Sequence, residues 1–266
     1  MPRRADLPVH HFTAPDGVTL AYRELGPDQP AEGGGAAPSG RPLVLLHGFF
    51  STAYVNWIRY GHAALLAEAG FRVIMPDLRA HGDSAHPHDP ASYPRDVLAD
   101  DAFALIDHLG LTDYDLGGYS LGARTTIRML VRGAQPGRAI AAGMGLGGII
   151  HVARRNAFFH RVFDGLGHHE RGSAEWRSEA FLHTTGGDPV ALRLVLDTSV
   201  GATIEELGDI LTPVLVLMGA ADDDHGSGPE LADILPLGRY EEIPGNHMNA
   251  VTEPQLGQAM LAYLTR

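Results

Sequence analysis

Short, continuously apolar runs separated by longer stretches of helical spacing recur through most of the chain, and this alternation restricts the fold more than any other feature. The strands read from this alternation are Leu43 to Leu46, Val73 to Met75, Tyr114 to Leu116, Ala139 to Leu146, Val214 to Met218 and Arg239 to Ile243. A strand covered on both faces has no polar side to show, so such runs predict a mostly parallel sheet with helices on both faces, an α/β fold. The covering helices are expected at Trp57 to Ala69, Val97 to Leu109, Leu121 to Arg132, Pro229 to Leu235 and Glu253 to Leu264. Ahead of them, Val9 to Thr13 and Val18 to Glu24 alternate in polarity and flank Ala14-Pro15-Asp16-Gly17, which predicts an N-terminal antiparallel hairpin.

The pattern breaks after Ile150. Residues 151–208 carry no strand signal and predict two or three helices, with Phe158, Val162, Phe163 and Leu166 near one helical face. The expected organisation is therefore a core of residues 1–150 and 209–266, with a small helical cap, 151–208, inserted over the carboxyl edge of the sheet. From Gly26 to Gly40 the chain is too poor in large apolar side chains to offset the entropy of ordering it, so a surface loop is expected there.

Composition then narrows the function. A chain of 266 residues suits one large α/β domain. Its 32 Asp and Glu against 20 Lys and Arg give a formal charge of −12, which repels a phosphate backbone, so no nucleic-acid partner is expected. Cysteine is absent, which removes disulfides, thiolate metal ligands, iron–sulfur clusters and a thiol nucleophile together. No stretch approaches the ~18 apolar residues of a membrane span, and the opening residues lack the apolar block of a signal peptide. A soluble, cytoplasmic protein with a small-molecule substrate and no membrane partner is the resulting expectation.

Gly118-Tyr119-Ser120-Leu121-Gly122 falls between an apolar run and a helical stretch. A serine held in a sharp strand-to-helix turn needs glycines two residues to either side, because a Cβ there would strike the adjoining backbone. The turn lifts the hydroxyl off the sheet and sets it at a helix N-terminus, where developing negative charge is favoured. A serine hydroxyl is a weak nucleophile at neutral pH; it needs a base, and the base needs an orienting partner. Two downstream groups lie beyond strand carboxyl ends: Asp222-Asp223-Asp224 after Val214 to Met218, and His247 after Ile243-Pro244-Gly245-Asn246. That edge is where open α/β sheets place their sites. Ser120 is thus read as nucleophile, His247 as base, and one acid of the 222–224 run, with Asp222 favoured, as the orienting group.

These residues carry a family resemblance. The chain resembles the α/β-hydrolases from about Val9 to Leu264, through Leu46-His47-Gly48-Phe49, Asp77-Leu78-Arg79-Ala80-His81-Gly82-Asp83-Ser84, the serine elbow, Gly219-Ala220-Ala221-Asp222 and Gly245-Asn246-His247. The resemblance implies an oxyanion hole built from the backbone N–H groups of Phe49 and Leu121, and places the triad acid at Asp222. It also implies that His47 and the segment 77–84 brace loops rather than react.

Relatives that open epoxides or displace halide use an aspartate where this chain has Ser120, so those two activities are not expected. A serine with oxyanion donors serves acyl transfer, and the expected reaction is hydrolysis of a carboxylic ester, or a related acyl bond, of a small, largely apolar substrate. Thioester cleavage, C–C bond hydrolysis and a non-catalytic ligand-binding role on the same fold are the alternatives. Phe50, Tyr119, Phe158 and Met248 are the expected substrate-binding residues, with Phe159, Phe163, Trp176 and Phe181 as further aromatics of the insertion. His81, His86, His88 and Asp89 have metal-binding chemistry but sit in a proline-broken loop without ligand spacing, so no metal is expected. Nothing in the sequence demands a cofactor.

Overall fold

The computed structural model describes residues 7–27 and 40–266. Most of the loop expected over 26–40, namely residues 28–39, lies outside them, as do the first six residues. Eight strands form one sheet: β1 (His10–Thr13), β2 (Thr19–Leu25), β3 (Arg41–Leu46), β4 (Phe71–Pro76), β5 (Asp115–Tyr119), β6 (Ala139–Ala142), β7 (Val214–Gly219) and β8 (Gly238–Ile243). They run in the spatial order β1-β2-β4-β3-β5-β6-β7-β8. β1 pairs antiparallel with β2, and β2 with β4; every later pairing is parallel.

Side chains alternate across each strand, and the two faces of β3 show where they go. Val44 and Leu46 pack with Ile74, Leu116 and helix α2 (Val97–His108) on one side. Leu43 and Leu45 pack with Val73, Met75, helix α1 (His62–Glu68) and the C-terminal helix, α10 (Pro254–Leu264), on the other. Helix α3 (Leu121–Val131) and helix α9 (Gly228–Ile234) cover β6 and β7 with Ala123, Ile127, Leu231 and Ala232. Five interior strands, β3 to β7, are thereby buried on both faces, which is why Leu43 to Leu46, Val73 to Met75 and Val214 to Met218 read as unbroken apolar runs.

Three expectations about elements change. The run Ala139 to Leu146 is not one strand: β6 stops at Ala142, Gly143 turns the chain at φ 59°, and Leu146–Ile150 is a short helix, α4. A Cβ on Gly143 would lie 2.8 Å from the Tyr119 ring, so the turn is tight as well as left-handed. The helix expected from Trp57 to Ala69 is two pieces, a π-turn over Tyr54–Ile58 and α1, separated by Gly61 at φ 87°.

Between β6 and β7, residues 151–208 hold four helices rather than two or three: α5 (Val152–Asp164), α6 (Ala174–Thr185), α7 (Pro189–Asp197) and α8 (Ile204–Gly208). Their boundaries follow N-cap chemistry. Ser173 Oγ accepts from Trp176 N–H, Asp188 caps a helix that starts with Pro189, and Thr203 and Glu206 form a reciprocal capping box. Val162, Phe163, Leu182, Leu192, Val195 and Leu196 turn inward and join the same core as Phe50 and Leu121. Helices α5, α6 and α7 are therefore packed against the loops at the carboxyl ends of the strands, whereas Leu207 of α8 joins the cluster of α3 and α9. No helix among the described residues is long and apolar enough to cross a membrane.

Candidate active site

β5 ends at Tyr119 and α3 begins at Leu121, so Ser120 alone makes the turn, at φ 55° and ψ −112°. Positive φ is uncommon for a residue with a side chain and stores of order 1–3 kcal/mol, which the surroundings must hold. They do so by close backbone contact. A Cβ on Gly118 would lie 2.2 Å from the Gly122 carbonyl carbon, and one on Gly122 would lie 2.1 Å from the Leu46 carbonyl oxygen. Ser120 N–H donates to Ala142 O at 2.8 Å, fixing the turn to β6.

Asp222 follows β7 and His247 follows β8, neighbouring strands whose terminal loops are stitched together. Ala221 N–H donates to Gly245 O at 2.9 Å, and a Cβ on Gly219 would lie 2.4 Å from that same oxygen. The Tyr119 hydroxyl donates to His247 O at 2.7 Å, tying the histidine loop to the strand that ends in the serine.

Three side chains meet at this rim. His247 Nδ1 lies 2.9 Å from Asp222 Oδ2, and His247 Nε2 lies 3.0 Å from Ser120 Oγ. A carboxylate only accepts, so the proton sits on Nδ1 and leaves Nε2 as acceptor for the hydroxyl. Of the three consecutive acids, Asp222 alone turns inward and is buried. Asp223 and Asp224 stay exposed, and Asp224 reaches Arg155 at 3.4 Å instead.

The loop after β3 faces the serine. Gly48 lies directly beside it: a Cβ there would stand at ordinary contact distance, 3.4 Å, from Ser120 Cβ. Gly48 N–H donates to Asn56 Oδ1 at 2.9 Å, and Gly48 O is engaged by His47 Nδ1 at 2.8 Å and by Ser51 N–H at 3.2 Å. Among the described residues, the Phe49 and Leu121 amides are not spent on a backbone turn or loop acceptor. Leu78 N–H donates to His47 Nε2 at 2.9 Å, so both ring nitrogens of His47 are committed to backbone. Burial holds His47 down at about 4, and burial together with the neighbouring His47 holds His81 down at about 3. Both rings are neutral and structural in ordinary buffer. Asp77 accepts from Ala53 N–H at 2.8 Å and Asp83 N–H at 3.1 Å, bracing the same loops.

A cavity of about 270 Å³ opens in front of Ser120. Phe50, Tyr119 and Met248 line it, and so do Phe49, Phe159 and Phe181. Phe158 does not. Neighbouring residues on a helix point about 100° apart, and Phe158 is turned to lie under the guanidinium groups of Arg155 and Arg161, at 4.8 and 5.6 Å. Its neighbour Phe159 faces the cavity and meets Phe49 edge-on at 4.7 Å. Phe163 packs behind Phe50 at 5.6 Å, and Trp176 stays on the surface.

Four polar residues at the site escaped the sequence reading: Asn56, Arg124, Arg155 and His225. Long-range packing buries Asn56, Arg124 and His225 and half-buries Arg155, and it left no local signal. The set His81, His86, His88 and Asp89 is not gathered: His81 Nδ1 engages Arg79 O at 2.9 Å, and His88 Nε2 pairs with Asp188 at 2.7 Å. The one group of potential metal donors within 4.8 Å of one another, among the described residues, is Asp222, His225 and His247.

Comparison with known proteins agrees with this architecture. The model of the alpha/beta hydrolase fold family matches residues 41–153. The chain is 30% identical over 250 residues to the dihydrolipoyllysine-residue acetyltransferase component of the acetoin cleaving system of Pseudomonas putida, covering 85% of this chain and 64% of that protein. It is 37% identical over 86 residues to epoxide hydrolase 2 of Siraitia grosvenorii, covering 32% of this chain and 26% of that one. The matches thus span less than two thirds of either relative. An esterase from Exiguobacterium antarcticum superposes with a TM-score of 0.75 at 19% identity, over 96% of this chain and 99% of that one. With its strand order, its parallel interior and the family match across residues 41–153, the chain has the α/β-hydrolase fold.

Proposed function

We propose that the protein is a serine hydrolase that cleaves a carboxylic ester, or a related acyl bond, through an acyl-enzyme. One observation carries the reading: Ser120 Oγ, both nitrogens of His247 and Asp222 Oδ2 lie in one hydrogen-bonded line, with steps of 3.0 and 2.9 Å. As Ser120 Oγ bonds to the carbonyl carbon, its proton passes to His247 Nε2, and Asp222 stabilises the imidazolium that results. The carbonyl oxygen becomes negative against the Phe49 and Leu121 amides, donors already fixed before the charge develops. The C–O bond to the leaving alcohol then breaks, and the alcohol takes the proton from Nε2. Water, deprotonated by the same nitrogen, attacks the acyl-enzyme and releases the acid, restoring the Ser120 hydroxyl.

Epoxide opening by this fold needs a carboxylate nucleophile at position 120, and a hydroxyl stands there, so the epoxide-hydrolase relatives do not set the reaction. The cavity wall favours modest apolar groups, with Phe49, Phe50, Phe159 and Phe181 presenting ring surface to it. Residues 151–208 are the cap in this reading. The test is labelling of Ser120 by a fluorophosphonate together with turnover of p-nitrophenyl esters. Ser120→Ala is expected to lose labelling and to lower kcat by roughly 10⁴- to 10⁶-fold. An unlabelled Ser120 in a wild-type protein without an acyl-enzyme burst overturns the reading in favour of a ligand-binding role.

A further inference from the structure

Beside the nucleophile, a recess of about 20 Å³ is lined by Ser120, Leu121, Arg124, Arg155, Phe159 and His225 among others. That space takes one small polar group, on the scale by which about 10–15 Å³ holds a water. Its wall is chemically unbalanced. Arg124 is only 6% exposed, yet its one protein acceptor is Gly148 O, 3.0 Å from Nε, and no acidic side chain among the described residues pairs with it. A buried guanidinium carries five donors and a charge that it does not lose at ordinary pH, so burial without a counterion is costly. Burial, with the like charge of Arg155 next to it, pushes Arg124 down to about 10.

Arg155 is half-buried and only partly compensated. Its Nε is buried without a partner, and its single ion pair is the 3.4 Å contact with the exposed Asp224. His225, 3% exposed, also has a buried Nδ1 without a partner. Its ring lies 4.3 Å from that of His247. Asp222, His225 and His247 together have donor geometry for a cation, but two arginines at the same recess oppose one. Two guanidinium charges and the unpartnered Arg155 Nε outweigh the one unpartnered acceptor of the recess, Asn156 Oδ1, and call for an anion.

We infer that Arg124, Arg155 and His225 form an anion-binding recess beside Ser120, and that the substrate is an acyl compound bearing a carboxylate a few bonds from the scissile carbonyl. This deepens the serine-hydrolase reading and rests on it for the reaction, though not for the binding. The recess adjoins Leu121, whose amide is the proposed oxyanion donor. The carboxylate and the scissile carbonyl would therefore be held side by side, and a short dicarboxylic monoester fits that spacing. A planar carboxylate can accept from guanidinium donors two at a time, which adds direction as well as affinity.

The experiment compares mono-p-nitrophenyl glutarate with p-nitrophenyl valerate, which has the same chain length and no charge. Wild type is expected to favour the charged ester by about 10- to 100-fold in kcat/KM, the range of a charge-assisted contact. Arg155→Met and Arg124→Met should each collapse that ratio toward one, and Arg124→Lys should keep part of it. Because the readout is a ratio, general damage to the site cancels, and if Arg124→Met does not fold, Arg155→Met still decides. Calorimetry on Ser120→Ala with glutarate should show saturable binding that vanishes when Arg155→Met is added. A ratio at or below one in wild type, a ratio unmoved in folded Arg155→Met, or inorganic phosphate binding more tightly than glutarate would each overturn the inference. Arg155-dependent glutarate binding without turnover of either ester, and without labelling of Ser120, would instead sink the hydrolase reading and leave the recess standing.

Discussion

The two walls of the cavity are built on different terms. One wall is made of loops at the strand ends, and its residues have almost no freedom: Ser120 and Phe50 sit at φ 55° and 60°, and Gly118, Gly122 and Gly219 each press against backbone. Helices α5 and α6 form the other, where Phe159, Phe181, Ser178 and Thr184 are half-buried or exposed, and Phe159 meets the rest of the site through the rings of Phe49 and Phe50. Backbone contacts fix positions to a few tenths of an ångström, whereas side-chain contacts shift when a neighbour changes size. The first wall is suited to aligning reacting atoms, and the second to shaping what enters.

That contrast can be broken by experiment. Asp222→Asn should cost about 10⁴-fold in kcat, because the amide can donate to Nδ1 and so favour the wrong tautomer. Steady-state kinetics on a simple ester decides it, and near-wild-type turnover would remove Asp222 from the line of proton transfer.

The strand-end wall should also be the acid-sensitive one. His47 and His81 are neutral in the fold, at about 4 and about 3, but an unfolded histidine titrates near ~6.5. Below that value the unfolded chain binds protons that the folded chain refuses. Stability is therefore fully present above about pH 6.5 and is lost as pH falls toward 4, by on the order of a few kcal/mol at pH 5. Urea unfolding at pH 7 and pH 5 measures this, and replacing His81 by Asn should flatten the difference. An unchanged midpoint would mean that the two rings take up protons without unfolding.

Gly122→Ala tests the close contacts directly. Its Cβ would lie 2.1 Å from the Leu46 carbonyl oxygen, so the strand and the elbow must separate, at a cost of about 1–3 kcal/mol and a loss of activity. A variant as stable and as active as wild type would show the elbow to be softer than its geometry implies. The smallest effect belongs to the helical wall. Phe159→Ala should raise KM for aryl esters by about 10-fold while lowering kcat far less than Asp222→Asn does. An equal fall in kcat would show that α5 helps to align the reacting groups.

The same division governs how much could be read before folding. β3, β4 and β7 were legible because two-sided burial writes itself as an apolar run, and the elbow because Gly118 meets Gly122 four residues on, whereas the demand on Gly122 itself comes from Leu46 on β3. Asp222, placed among three consecutive acids, was favoured from its position, but the inward turn is made by bonds to the β8 loop. β6 was overextended because Leu146, Ile149 and Ile150 are apolar for a different reason, the packing of α4, and only Gly143 at positive φ separates the two. Phe158 and Phe159 were indistinguishable in sequence; one helical step of rotation decides which of them meets the cavity.

By itself the sequence determined the layered α/β architecture, the serine turn and the chain order of hydroxyl, acid and imidazole, since each depends on period or on steric demands within a few residues. Tertiary structure alone decided the distances among those groups, the choice of Phe159 over Phe158, and the burial of Arg124 beside His225 without a counterion. Such features arise where α3, α4, α5 and the β7 loop converge from distant parts of the chain, and no local pattern encodes a meeting of that kind.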